Sequence, residues 1–590
     1  MRLEDTLVPS VLEKPKQTEN GWKRFFPIVD WLTKYEKSDF SGDFIAGLVV
    51  AIMLIPQAMA YSNLAALPPQ LGLYSSIVTL ILFSFFTTSR FLSIGPVAIV
   101  SILIAAGIGQ ITQPGTAEYI SLAVTLAFLV GIIQFIMGFF QIGFIVNFIS
   151  HPVISGFISA SAVTIFVSQL KGILGLTIPY SENVFSTFVE ILPRLSAINL
   201  TTLAIGLFSV FFLLVFPNLM DLLAGSLRLS PLFQEILKKS SPLLLVFLCT
   251  FLAWFWQLNE KQQVSVVGQI PSGFPGFFWP HLSLTKIQSL LPIALAIAFV
   301  GFMESYSVAT TLGSRRGQKV DPNQELLASG LANVGATFVG GYAVTGSFSR
   351  SMVNFSSGAS SQISSLITAV FMVAALFFLM SFFYFLPIAT LAAIILVAVK
   401  DLFDAHGFKQ IWHYSRADGY SWLVTFFSIL IFNIQIGILI GAIAAITLYL
   451  WRTSQPHVVV VGRVGDTEHF RSVSRYDVKT YPTILAIRID ENLYFANTKY
   501  LEDYLFYTVM ETGQIKHLVI IMTGVNFIDV SALDTLEKLV IEMKVIGINV
   551  YLAEIKGRLM DKIGDTDFLK EVGEDKIFLT AHEAMSNLGC

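Results

Sequence analysis

From Phe44 to Trp451 the chain alternates long apolar runs with short polar breaks, and beyond Arg452 that pattern stops. The runs lie at about 44–61, 70–88, 96–112, 119–142, 147–170, 199–217 and 241–257, and then at about 287–312, 325–340, 347–357, 362–385, 387–400, 418–434 and 435–451. They make two sets of seven. Most are expected to reach the ~20 residues that cross ~30 Å of hydrocarbon. Two are expected to fall short, each the third of its set. One follows Ile94-Gly95-Pro96 and the other follows Gly346-Ser347. Paired interrupted runs at corresponding positions point to the substrate site of an inverted-repeat transporter.

Residues 454–590 read differently. Short apolar stretches at Val458–Val461, Ile484–Ile489, Leu518–Met522 and Val550–Ala553 predict strands. Helix-period segments at about 497–512, 531–545 and 556–563 fall between or after them. Strands alternating with helices mean a small α/β domain, and about 135 residues suffice to bury a core. The expected division is a cytoplasmic segment 1–38, a transmembrane transporter domain 39–453 and a cytoplasmic domain 454–590. Within the first segment, 1–20 are polar and expected to be disordered. Residues 21–38 mix Lys and Arg with aromatics, as interfacial segments do.

Lysine and arginine set the orientation. They collect near 218–240 (Arg228, Lys238, Lys239), 313–321 (Arg315, Arg316, Lys319) and 400–416 (Lys400, Lys409, Arg416). Basic loops stay inside, so both termini are expected in the cytoplasm of a multi-pass cell (inner) membrane protein.

Composition agrees. Of 590 residues 54% are hydrophobic and 13% charged, with a mean hydropathy of +0.70. Soluble domains carry about 25% charged residues. A net charge of -3 without a basic stripe argues against nucleic acid. Cys249 and Cys590 form neither a disulfide framework nor metal-ligand spacing. No nucleotide loop, metal cluster or serine–histidine–acid set is present. Neither an enzyme nor a cofactor is expected.

The chemistry concentrates where the membrane runs are broken. A helix that starts in mid-membrane presents free N–H groups and the positive end of its dipole, which suits an anion. Pro96, Val97 and Ala98 are expected to form one such start, with proline in the first helical turn. Ser347, Phe348 and Ser349 form the other, with hydroxyls added. Arg350 is a charge inside an apolar region, which defaults to a functional role. Its guanidinium suits an oxyanion, and Glu304 is the nearest candidate acid to pair with it. Glu304 stands in an apolar run with no basic residue within ten positions. It is a candidate proton-coupling group or sodium ligand, and a salt bridge to Arg350 would tie anion and proton binding together. Gln57 and Tyr61 are four apart, on one face of the first run, and Pro56 is expected to break the helix ladder and turn Gln57 inward. His151-Pro152 reads as an ordinary interfacial helix start.

These segments resemble the sulfate permease (SulP) family of anion transporters. The resemblance is carried by Gly42–Leu48 running on to Ile55-Pro56-Gln57-Ala58-Met59-Ala60-Tyr61, by Pro68–Ser76, and by Thr88–Ala98. It continues through Phe302–Ser307, Asn333–Gly341 and Gly346–Ser351. The tail is similar to the STAS domain that follows the membrane part in that family, with Asn526–Leu533 as the loop that opens a STAS helix. The resemblance implies an α-helical polytopic membrane protein of fourteen segments, arranged as a seven-plus-seven inverted repeat like that of the uracil permeases. Core and gate domains, half-helices three and ten around one anion, and a homodimer come with it. It also implies cation coupling through an acid at Glu304, and it makes Ser531 a possible regulatory phosphorylation site.

The reading is secondary active uptake of an inorganic anion, foremost sulfate with protons. Sodium-coupled bicarbonate or dicarboxylate transport on the same fold is the first alternative. An anion sensor or scaffold signalling through the STAS domain is the alternative of another class, and a passive channel is the last.

Overall fold

The computed structural model describes residues 26–33, 35–144, 150–176, 184–227, 231–269, 273, 276–400, 402–432 and 434–590. The expectation of disorder for 1–20, residues 21–25 and 34 of the aromatic segment 21–38, and the loop residue Arg228 lie outside these described residues. By internal contacts the chain divides into residues 1–442 and 443–590, and the boundary falls within its last apolar helix.

Each predicted apolar run contains a helix. They are α1 (Lys37–Leu64), α2 (Pro69–Phe86), α3 (Ala98–Gly109), α4 (Ala117–Phe139), α5 (His151–Leu174), α6 (Leu200–Leu227) and α7 (Ser241–Trp256). Then come α8 (Leu284–Ser314), α9 (Pro322–Phe338), α10 (Phe348–Ser356), α11 (Ile363–Phe378), α12 (Ile388–Lys400), α13 (Arg416–Ile431) and α14 (Ile434–Thr453). Among the described residues seven helices are long and apolar enough to cross a membrane. The expectation that only the third and tenth fall short is therefore corrected: α9 has 17 residues, α7, α11 and α13 have 16 and α12 has 13. An apolar run overstates its helix where the chain stays apolar after the helix ends. The run at 362–385 leaves α11 at Phe378, continues as a 3₁₀ turn at Phe382–Phe385, and Pro387 then bridges to Val266. Pro56 is likewise carried inside the unbroken α1.

Glycine brings two helices into backbone contact. A Cβ on Gly131 of α4 would lie 2.8 Å from the Gly330 carbonyl of α9, and one on Gly330 would lie 2.6 Å from the Phe135 nitrogen. Small residues at such crossings are how membrane helices pack. Two buried acids pin the ends of this bundle. Asp43 accepts from Ser360 N at 2.7 Å, Ser361 Oγ at 2.6 Å and Tyr35 OH at 3.0 Å. Glu325, in the first turn of α9, accepts from Thr87 Oγ1 (2.8 Å), Thr88 N (2.8 Å), Thr88 Oγ1 (2.7 Å) and Ser89 N (3.1 Å). It holds the descending chain that leads from α2 to the site.

Residues 443–590 contain a six-stranded sheet in the order β4-β3-β5-β6-β7-β8. Its strands are β3 (Val458–Arg463), β4 (Phe470–Ser472), β5 (Ile484–Ile489), β6 (His517–Ile521), β7 (Asn549–Ala553) and β8 (Ile577–Phe578). The neighbours from β5 to β8 are parallel, and β3 runs antiparallel to β5. The helices α15 (Thr498–Thr512) and α16 (Val530–Val545) bury Leu501, Leu505, Leu536 and Val540 against Ile487, Leu518 and Ile520. The helix α17 (Gly557–Ile563) joins that side, and a last helix, Ala581–Asn587, covers the opposite face. Ser531 is exposed in the first turn of α16, beside Asp529, whose carboxylate caps Ala532 N at 2.8 Å.

Glu325→Ala leaves several buried donors unmatched, each costing about 1–3 kcal/mol. A lower midpoint of thermal unfolding in detergent is the expected outcome. Glu325→Gln, which keeps one acceptor oxygen, is expected to fall between the alanine variant and the parent.

Candidate functional site

Both interrupted runs begin with two residues of extended chain that pair with each other. β1 (Ile94–Gly95) and β2 (Thr345–Gly346) are antiparallel, with Ile94 opposite Gly346 and Gly95 opposite Thr345. Each strand leads within three residues into a short helix, α3 of 12 residues and α10 of 9. Because the strands run in opposite directions, the helices leave the crossing in opposite directions and both present their N-termini to it. Val97 and Ser347 are the caps, both in extended conformation. The first intrahelical bonds are Ser101 N to Val97 O and Ser351 N to Ser347 O, each 3.0 Å. The amides of Ala98, Ile99, Val100, Phe348 and Ser349 precede them and have no carbonyl in their own helix.

Pro96 does not play its expected part. It precedes the cap and so lies outside the first helical turn, which Ala98 opens instead. Its carbonyl accepts from Arg350 Nη1 at 2.8 Å. One jaw of the site therefore holds the charged side chain of the other.

Polar side chains from neighbouring helices hold the crossing in place. Ser305 of α8 accepts from Gly346 N at 2.8 Å and shares a 2.7 Å bond with Thr345 Oγ1. Asn333 of α9 takes Val344 at both backbone atoms: Val344 N donates to Oδ1 at 2.8 Å, and Nδ2 donates to Val344 O at 3.1 Å. Gln134 of α4 receives Asn333 Nδ2 at 3.0 Å. On the other arm, Gln362 donates to Ser89 O and Leu92 O, Asn354 donates to Phe91 O, and Ser93 N donates to Ser351 Oγ. Gly346 has no room for a side chain, since a Cβ there would lie 2.9 Å from Ser305 Oγ.

Arg350 is fully enclosed, at 0% exposure. Beyond Nη1 its guanidinium is uncommitted: Nε and Nη2 are buried without a protein partner. Glu304 of α8 is half-buried, and its Oε2 is also enclosed and unpartnered. The alternative of a simple salt bridge between them is not met, because no Arg350 nitrogen lies within 4.0 Å of a described carboxylate. Tyr61, Glu304 and Tyr342 are close enough to Arg350 to interact electrostatically. Gln57 and Tyr61 are both buried on α1, which reaches the crossing through Leu54, 3.6 Å from the position a Gly95 Cβ would take. Gln57 stands between Leu54 and Tyr61 at helical spacing, so all three share a face. Val97 and Ala98 are buried, Ser347 is half-buried, and Phe348 and Ser349 are exposed. Among the described residues no His, Cys, Asp and Glu group could hold a metal.

Sequence reasoning assigned no role to Ser305, Asn333, Gln134, Asn354 or Gln362. Their signal was an amide or hydroxyl beside or within an apolar run and, for Ser305 and Asn333, a place in segments that carry the family resemblance. What each holds is set by partners 11 to 273 residues away.

A family model described as the sulfate permease family matches residues 40–425, and a STAS domain model matches 475–584. The chain belongs to the sulfate permease family. It is a multi-pass membrane protein and a secondary active anion transporter, not an enzyme. Sulfate transporter 4.1, chloroplastic, of Arabidopsis thaliana is 34% identical over 95% of this chain and 82% of its own. High affinity sulfate transporter 2 of Stylosanthes hamata is 30% identical over 96% and 87%. The structure of murine Solute Carrier 26 family member A9, an anion transporter in the inward-facing state, superposes with a TM-score of 0.87 at 26% identity, covering 98% of this chain and 97% of that one. The transmembrane domain of a cyanobacterial bicarbonate transporter, BicA, shares the fold at a TM-score of 0.58 and 20% identity, over 70% of this chain and 98% of its own.

Asn333→Ala frees the backbone of Val344, the residue that leads into β2, and misplaces one jaw. Misplacement of a working group by ~1 Å costs ~100-fold, so anion uptake is expected to fall on that order. Uptake into proteoliposomes, normalised to inserted protein, measures it.

Proposed function

We propose that this protein takes up sulfate with protons, by alternating access, with the anion held between the N-termini of α3 and α10. The observation that carries the reading is the enclosed guanidinium of Arg350, which has free donors, no carboxylate in contact and two helix N-termini beside it. An isolated buried charge is costly, and a small oxyanion meets its remaining donors. The amides of Ala98 and Ser349, the Ser347 hydroxyl and the polar ends of Gln57 and Tyr61 supply further donors. Val97 and Phe348 would shape the apolar wall. Sulfate is favoured by the names of the relatives. Glu304, enclosed and unpaired near that charge, is the group we assign to proton coupling.

The fourteen helices would form a seven-plus-seven inverted repeat split into core and gate, in a homodimer. The membrane part would span 39–453, with both termini and the STAS domain, 454–590, in the cytoplasm; Ser531 is the position open to regulation there. The proposed orientation puts the C-terminal ends of α1, α3 and α5 on the external face.

Arg350→Ala is expected to abolish sulfate uptake while the protein still inserts and elutes as the parent does. Undiminished uptake would overturn the site. Glu304→Gln is expected to remove stimulation by an inward proton gradient. If sodium in place of choline drives uptake instead, or if bicarbonate or succinate is accumulated and sulfate is not, the alternative of the same fold replaces this one.

A further inference from the structure

A cavity of about 980 Å³ opens on one end of the helical bundle. It is walled by the end of α1 and by Ile102, Ala105 and Ala106 of α3. Lys171 at the end of α5, Arg194 and the start of α12 complete it. Every numbered helix that reaches it is an odd-numbered one at its C-terminal part or an even-numbered one at its start, and the short helix Val184–Ile191 joins them, so the cavity belongs to a single face. None of the site residues from Gln57 to Arg350 lines it. It touches α3 at four to eight residues beyond Ala98, which is about 6–12 Å along the helix axis at ~1.5 Å per residue.

Among the described residues that line it, the charged ones are Lys171 and Arg194, the latter paired with Glu190. Lys171 is exposed and makes no salt bridge to any described carboxylate. Arg194 Nη1 is ion-paired with Glu190 Oε2 at 3.7 Å, and neither of these two buried atoms has a hydrogen-bond partner. A cleft of one charge sign with low-dielectric walls concentrates counter-ions and speeds their capture. Thr164, Ser168 and Gln169 add polar groups on the Lys171 face of α5.

We propose that this vestibule is a second anion site, where Lys171 and Arg194 hold a small inorganic oxyanion before it passes to the crossing of β1 and β2. The proposal rests on the reading of this chain as an oxyanion importer. Lys171 acts on capture and not on the moving site, so it sets the concentration at which uptake half-saturates and leaves the maximal rate alone.

Two measurements test it. In proteoliposomes, Lys171→Gln is expected to raise the KM for sulfate about tenfold with the maximal rate held within about twofold, and Lys171→Arg to restore it. The increase should shrink as ionic strength rises. The second reads the cavity without transport. Ser168→Cys, in a background with Cys249→Ala and Cys590→Ser, is treated with anionic and cationic methanethiosulfonates. The anionic reagent is expected to react about tenfold faster relative to a free thiol, and Lys171→Gln or Arg194→Gln to erase that preference. An unchanged KM, or a cysteine with no preference for the anion, overturns the vestibule site. A protein that prefers the anionic reagent yet carries no sulfate overturns the transport reading and leaves the vestibule standing.

Discussion

A guanidinium sealed inside a membrane bundle with one hydrogen bond is the constraint around which the rest of this fold is arranged. Arg350 reaches across the crossing of β1 and β2 to the Pro96 carbonyl and leaves Nε and Nη2 unmatched. A charge in that setting costs a few to more than ten kcal/mol. Such a cost persists only where surrounding structure enforces it, and here the enforcement is visible. Ser305, Asn333, Asn354 and Gln362 fix the backbone on both sides of the arginine.

Those clamps are neutral, and their neutrality matters. A carboxylate in the same positions would close on Arg350 and satisfy it permanently. The other two buried acids, Asp43 and Glu325, are instead surrounded by serine, threonine, tyrosine and backbone donors. Their charge is spent on structure, at the ends of helices. Among the described residues only Glu304 keeps an enclosed oxygen free near the arginine without touching it. The bundle separates acids that hold the fold from the acid left able to respond to a cation.

Much of this was legible in the chain. Hydrophobic runs are long-range in effect but local in signal, so every helix of the bundle had its trace, and the two half-helices announced themselves by Gly95-Pro96 and Gly346-Ser347. Helix ends were less legible, because apolar chain continues through turns such as Phe382–Phe385 without remaining helical. The role of Pro96 was misread for a related reason: proline marks the neighbourhood of a helix start, but the capping residue is set by where the strand pairing ends. The clamps were not legible at all. An asparagine in a membrane run says only that a partner is needed, and Val344 as that partner follows from tertiary structure.

The bond from Arg350 to Pro96 also changes how the two half-helices relate. Taken separately, one jaw offers backbone amides and apolar side chains, while the other offers hydroxyls and the charge. In the folded chain the charge is shared, since its donor sits on α10 and its acceptor immediately precedes α3. The strand pairing and this bond tie the two jaws into one piece, held in turn by α8, α9 and α11. A site built that way cannot open by parting its jaws without breaking both ties. Access from either face then has to come from movement of the surrounding helices past an intact site, which is the alternating-access scheme that the proposed function requires.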